Sequence, residues 1–262
     1  MLYNLLFGFY EKTTNFIKDK IDIFFSSRPE KGLVEKNIFL LGEHLFFLLF
    51  SLGLFGREDW IYDITMMWDS EISFSVCVYY YLYITRYVVQ TKQLEKDHKE
   101  YYTYLTHHVS TVTLLSLSFL RHSRIGIIIA ILHEYADLFL LPGKICHRFY
   151  ETRDLEFLNT VSYLLFLVFV PVYFYTRIYQ NASIVYFIRG SEFFNNFTKD
   201  SIKTFQDHPD FIICTYFLHL NIAIQIVWQI MIIKFFYSIL SGTPAIDEKD
   251  NSYFKKKRNL KQ

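Results

Sequence analysis

The chain has 262 residues, 52% of them hydrophobic and 20% aromatic, including 28 Phe and 21 Tyr. That composition is unusual for a soluble domain and points to a membrane protein. The formal net charge of +1 gives no global attraction for nucleic acid, so no such partner is expected. The three cysteines, with no CxxC pair, argue against a disulfide framework or a cysteine-rich zinc site.

The first 30 residues alternate apolar clusters with Glu11, Lys12, Lys18, Asp19, Lys20 and Asp22 and lack a small-residue cleavage site. This reads as an amphipathic helix lying on the membrane, with a seventh span as the alternative. A span needs about 20 mainly apolar residues. Six segments fit, at 37–55, 70–88, 104–120, 125–142, 158–177 and 211–240. The expected fold class is therefore all-α, a polytopic membrane helix bundle of six spans plus the N-terminal helix. Residues 31–241 form its transmembrane domain and residues 242–262 a basic cytosolic tail.

Lysine and arginine placement sets the orientation. Arg28, Lys31 and Lys36 precede the first span, and the basic loops 86–99 and 144–153 follow the second and fourth. The run KKKR at 255–258 follows the sixth. All four fall on one side if the spans alternate, which makes that side, and both termini, cytosolic. The loop after the fifth span carries the sequons at Asn181 and Asn196, which suit a lumenal position.

Titratable side chains at membrane depth are costly and mark interior sites. The fourth span carries His133, Glu134 and Asp137, and the four-residue spacing of His133 and Asp137 puts them on one face. The third span opens on the pair His107 and His108. At 1.5 Å per residue the pair lies within about 5 Å of its cytosolic end, while Asp137 and His133 lie about 9 and 15 Å deep in the antiparallel neighbour. Residues 121–124 are the only connection, so the two helices should pack and open a pocket toward the cytosol.

Glu134, about 100° round the helix from His133, suits either that pocket or a structural pair. Lys144 reads as a positive-inside anchor, and the lone His44 and His219 as helix-to-helix hydrogen bonders. A di-iron site needs HxxxH and HxxHH boxes, and Tyr104 and Leu105 stand where such a box requires histidine. Adjacent histidines also point about 100° apart, which disfavours a shared zinc, so no metal is expected.

Residues 98–144 resemble the signature of ceramide synthases within the wider TLC-domain family. The carriers are a basic loop, His107-His108, a turn with Arg124 and Gly126, the motif His133 to Asp137, and Lys144. Weaker matches are EISF at 71–74, the Thr-Arg of YTRIY at 175–179 and the Gln-x-x-Trp of 221–230. Departures are His-Glu for the usual His-Asp, Glu100 as the acid seven before the pair, Ala136 for Ser, and Leu141 for Glu.

The resemblance implies transfer of a fatty acyl group from acyl-CoA to the amine of a sphingoid base at the endoplasmic reticulum. His107, His108, His133 and Asp137 are the implied catalytic residues, with Glu134, Glu100, Lys144 and Arg124 in support. Acyl-CoA is a co-substrate, no further cofactor is implied, membrane lipids surround the domain, and a tendency to form homodimers comes with the family. An imidazole near neutrality suits deprotonation of an amine, or attack on the thioester to form an acyl-imidazole. Asp137 could orient a histidine across the pocket. The basic loops could meet the CoA phosphates. The competing reading is a non-enzymatic TLC protein that binds or moves lipids.

Overall fold

The computed structural model describes residues 2–25, 33–63, 66–67, 72–94, 101–153, 155–190 and 209–240, and among these the chain is helical with no strand. In chain order the helices are α1 (Leu2–Phe25), α2 (Leu33–Phe55), α3 (Phe74–Lys92), α4 (Tyr101–Arg121) and α5 (Ser123–Arg153). They continue with α6 (Glu156–Tyr173), a π-helical segment (Phe174–Tyr179), α7 (Gln180–Gly190) and α8 (Pro209–Leu240). Helices are the economical answer for apolar segments in lipid, because each satisfies its own backbone groups.

Among the described residues four helical stretches are long and apolar enough to cross a membrane: Val34–Phe55, Ser123–Arg153, Glu156–Ile188 and Ile212–Tyr237. Helices α3 and α4 stand where the second and third spans were expected but do not reach that apolarity. The reason lies in what they turn inward. Arg86 and Thr85 of α3 and His107, His108, Ser110, Thr111 and Ser118 of α4 are all buried. Average hydropathy counts such residues against a span even though none of them faces lipid.

The tyrosines of α3 follow the same logic. Tyr79, Tyr83 and Tyr87 recur at four-residue spacing and are buried, with ring centroids 5.4 and 5.5 Å apart. Tyr80 donates to the Ser123 carbonyl at 2.8 Å, and Tyr83 to the Ala130 carbonyl at 3.2 Å. These aromatics are pillars between helices. On α6 and α8, Phe157, Tyr216 and Tyr237 are exposed, whereas Phe169 and Tyr173 are buried.

Helix α5 is the axis of the bundle and packs against α2, α4 and α6, while α8 lies along α4. Its first two turns bury Ile125, Ile127, Ile128 and Ile129 against α3 and α4. The close approach runs through Gly126. A Cβ there would lie 2.0 Å from the Tyr80 hydroxyl and 2.6 Å from Ser118 Oγ. Both oxygens are held by hydrogen bonds and cannot retreat freely. Gly126→Ala is expected to cost about 1–3 kcal/mol, seen as a lower melting temperature of the detergent-solubilised protein. An unchanged melting temperature would show that the helices can part.

Two sequence expectations about helix ends are corrected. Helix α5 continues without interruption through Pro142 to Arg153, so residues 144–153 form helix and not a loop. A proline is tolerated in a membrane helix when neighbours meet the backbone, and here the Ser162 hydroxyl donates to the Gly143 carbonyl at 2.9 Å. At 31 residues α5 is about 46 Å long, which exceeds a hydrocarbon core of about 30 Å. Likewise α3 runs to Lys92, so Arg86 belongs to the buried helix and not to a basic loop.

The fifth apolar segment also outruns its expected end at residue 177, continuing as π and α helix to Gly190. Asn181 is consequently fully buried and donates to the Arg177 carbonyl at 2.8 Å, so it is not an accessible glycan acceptor. Asn196, Glu100, the EISF residue Glu71 and the 255–258 run lie outside the described residues. Helix α1 packs on α2 and α3, with Lys18 donating to Gln93 at 3.0 Å and lying over the Phe39 ring. No disulfide joins the three cysteines.

Candidate active site

The histidine pair sits two turns into α4, and its members do different things. His107 is buried, its Nδ1 has no hydrogen-bond partner, and its ring lies 6.4 Å from that of His133 at 22°. It also meets the Trp228 ring at 5.0 Å and the Tyr87 ring at 6.1 Å. His108 turns away, with ring planes 82° apart, toward α3. The Thr91 hydroxyl gives its proton to the Tyr87 carbonyl at 2.6 Å, so His108 Nδ1 is the donor in its 3.2 Å contact with Thr91.

His133 is fixed from both ring nitrogens. Its Nδ1 donates to the Ile129 carbonyl one turn back at 2.7 Å, which leaves the lone pair on Nε2. That lone pair accepts from Gln225 Nε2 of α8 at 3.3 Å. Beside the ring is a cavity with about 20 Å³ of space for a water's centre, lined among others by Tyr83, Tyr87, Thr111, His133 and Asn221. That is room for about one water. The Thr111 hydroxyl, on the lining, is buried without a partner.

Asp137, one turn beyond His133, is paired with Arg177, whose Nη2 also donates to the His133 carbonyl at 2.7 Å. The expectation that Asp137 orients one of the paired histidines is therefore corrected; among its partners the nearest imidazole is His44, at 3.8 Å. Arg177 reaches α5 because the chain adds a residue per turn just there: the π segment turns Thr176 and Arg177 inward, and both are buried. Such π-bulges recur at functional sites.

Glu134 faces the other way round α5 and builds a separate network. One oxygen takes Arg86 Nη1 at 2.7 Å and the Tyr83 hydroxyl, the other His44 Nδ1 at 2.6 Å. Arg86 in turn lies over the Phe47 ring at 4.8 Å and within 3.9 Å of Glu43, which accepts from Gln90 at 3.1 Å. Glu134 and Arg86 are 1% and 2% exposed, so this is a buried ion pair tying α2, α3 and α5 together. His44 thus does bridge helices, as its position suggested.

The other expected residues lie apart. Arg124 is at the opposite end of α5, donating to the Met66 carbonyl at 3.0 Å and lying over Trp60. Lys144 is exposed, seven residues beyond Asp137 on α5. Sequence reasoning missed Arg86 and Tyr173 altogether, and it quoted Arg177, Gln225 and Trp228 as weak resemblances without assigning them to the site. The spacing of Gln225 and Trp228 near the middle of an apolar helix was the signal available for the last two. Among the described residues no group of three or more His, Cys, Asp or Glu side chains is arranged to hold a metal ion.

Residues 34–234 match the TLC domain family. The chain is 27% identical over 221 residues to a sphingosine N-acyltransferase of Schizosaccharomyces pombe, covering 78% of this chain and 55% of that protein. It is 32% identical over 127 residues to a ceramide synthase of Arabidopsis thaliana, covering 45% and 42%. A ceramide synthase of Caenorhabditis elegans is 23% identical over 221 residues, covering 80% and 58%. The chain thus spans about half the length of the curated relatives it matches. A match that runs from the start of α2 to near the end of α8 and encloses every site residue described above means that this chain belongs to the TLC-domain family.

Proposed function

We propose that the protein is a membrane-embedded N-acyltransferase that moves a fatty acyl group from acyl-CoA to the amine of a sphingoid base. The observation that carries the reading is the facing pair His107 and His133: a buried imidazole with an unpartnered Nδ1 stacked on a second imidazole whose tautomer is fixed. A protonated amine is not a nucleophile, and a neutral imidazole with a free ring lone pair is a natural group to take its proton.

In this reading the ammonium first loses one proton to water, and the neutral amine attacks the thioester carbonyl as His107 takes the second proton from its nitrogen. The C–S bond then breaks, leaving a neutral amide, and the departing thiolate takes that proton from His107 as free CoA. Direct transfer and an acyl-imidazole on His107 both balance with these groups. Asp137 and Arg177 hold the α5 turn that carries His133. Lys144 and the exposed end of α5 stand ready for phosphate.

The same proposal includes six spans, with α3 and α4 crossing the membrane beside the four apolar stretches, α1 on the interface, and both termini in the cytosol at the endoplasmic reticulum. Residues 31–241 are the membrane domain and residues 242–262 the tail. The names of the relatives support the substrate class.

The test is mass spectrometry of lipids from membranes expressing this chain in a host without its own ceramide synthases, given sphinganine and mixed acyl-CoAs. A dihydroceramide series is expected. No product from protein shown to be folded would overturn the reading and favour a lipid-binding role.

A further inference from the structure

Gln225 is fully buried in the middle of α8, in a helix otherwise rich in Ile and Phe. A buried amide in lipid must find partners for its oxygen and its nitrogen. Its Oε1 lies 2.5 Å from the Tyr173 hydroxyl of α6, a separation that suits O–H···O and is short for N–H···O. The amide nitrogen then points the other way, to His133 Nε2 at 3.3 Å and Asn221 Oδ1 at 3.5 Å. Both of those atoms are acceptors, since His133 has committed its one proton at Nδ1 to the Ile129 carbonyl.

The orientation of an amide is normally ambiguous, but here two neighbours agree on it. The Tyr173 hydroxyl gives its proton to Oε1 at that short distance, and a flipped amide would set Oε1 against the lone pair on His133 Nε2. The chain Tyr173, Gln225, His133, Ile129 therefore runs as donor to acceptor in one direction across three helices.

We propose that Gln225, oriented by Tyr173, is a positioning residue that holds His133 as the neutral imidazole with its lone pair on Nε2. An amide N–H aimed at Nε2 opposes protonation there, because a proton on Nε2 would face another donor. The consequence is carried to His107. Two stacked rings 6.4 Å apart disfavour a second positive charge, so a His133 kept neutral leaves the single charge for His107 when it takes a proton.

The other charged and titratable groups around His133 are accounted for. Arg177 meets its carbonyl and is balanced by Asp137. Glu134, the next residue, is balanced by Arg86 and His44. From α3 the phenols of Tyr83 and Tyr87 line the cavity beside His133, and from α4 the His107 ring faces the His133 ring. From α8 the facing groups are the amides of Asn221 and Gln225.

This role rests on the N-acyltransferase reading for its kinetic effect but not for its existence, so the experiment has two arms. In the first, protein labelled with nitrogen-15 at histidine is reconstituted into membranes and read by solid-state NMR, with His133 assigned by its loss in His133→Asn. Wild type should show His133 unprotonated at Nε2, and Gln225→Glu, whose carboxylate accepts where the amide donated, should show it protonated at both nitrogens. Protonated Nε2 in wild type, or no change in Gln225→Glu, would overturn the proposal.

In the second arm, Tyr173→Phe and Gln225→Leu should each lower kcat roughly tenfold with little change in KM, and Tyr173→Phe should add less than about twofold to Gln225→Leu. Losses that multiply would mean two independent packing effects and would also overturn it. If wild type forms no dihydroceramide, the acyl-transfer reading falls, and the NMR arm alone decides the role of Gln225.

Discussion

Replacing His107 by asparagine is expected to lower dihydroceramide formation by about 10²–10⁴-fold while leaving the protein folded. The geometry behind the number is specific to this residue. Asparagine keeps a polar atom near the position of Nδ1, so the buried surroundings of Trp228, Tyr87 and His133 lose little, but it has no basic ring nitrogen to accept the proton of an amine. The neighbouring His108→Asn serves as the contrast. Its Nδ1 donates to Thr91, an amide can reproduce that bond, and the loss should stay below about tenfold. Microsomal assay of both variants, with monodispersity in detergent as the folding control, separates them. Product formed by His107→Asn at the wild-type rate would remove His107 from the chemistry.

The hairpin of α4 and α5 was legible in the sequence because its information is local. A four-residue connection makes the two helices antiparallel neighbours and brings the histidine pair toward the turn of His133 and Asp137, and the His107 and His133 rings do lie stacked. The four apolar stretches were legible for the same reason. What could not be read was the identity of partners far apart in the chain. Arg86 looked like the start of a basic loop, since nothing near it in sequence marks the acid that neutralises it 48 residues away. Arg177 looked like the end of a span because a π segment has no simple sequence signature. For Asp137 the motif shows only a histidine as a candidate partner, whereas its partner is the arginine 40 residues on.

Those long-range pairs also show what the glutamate of the altered motif does. A shorter acid at 134 would have to span the same distances to Arg86, His44 and Tyr83, and glutamate reaches all three. The acid therefore acts as an anchor on α5, not as a member of the facing histidine pair.

Glu134→Ala is expected to destabilise the protein by about 3–5 kcal/mol, because it strands the buried guanidinium of Arg86 without its charge partner. Arg86→Met should cost a similar amount by stranding the carboxylate. The double variant Arg86→Met with Glu134→Leu should be less destabilised than the sum of the two, and close to either alone or better, since neither charge is left uncompensated. Thermal unfolding in detergent measures all three, and single-variant losses below about 1 kcal/mol would mean that water reaches the pair and that it is not structural. Activity should fall further than stability accounts for. Glu134 and His133 are adjacent and point about 100° apart, so the bonds from α2 and α3 to Glu134 fix the rotation of α5 about its own axis. That rotation is what aims His133 at His107 and Gln225. The double variant restores packing without restoring those directional bonds, so it should recover melting temperature while remaining slow in acyl transfer, and full recovery of both would show that packing alone sets the angle.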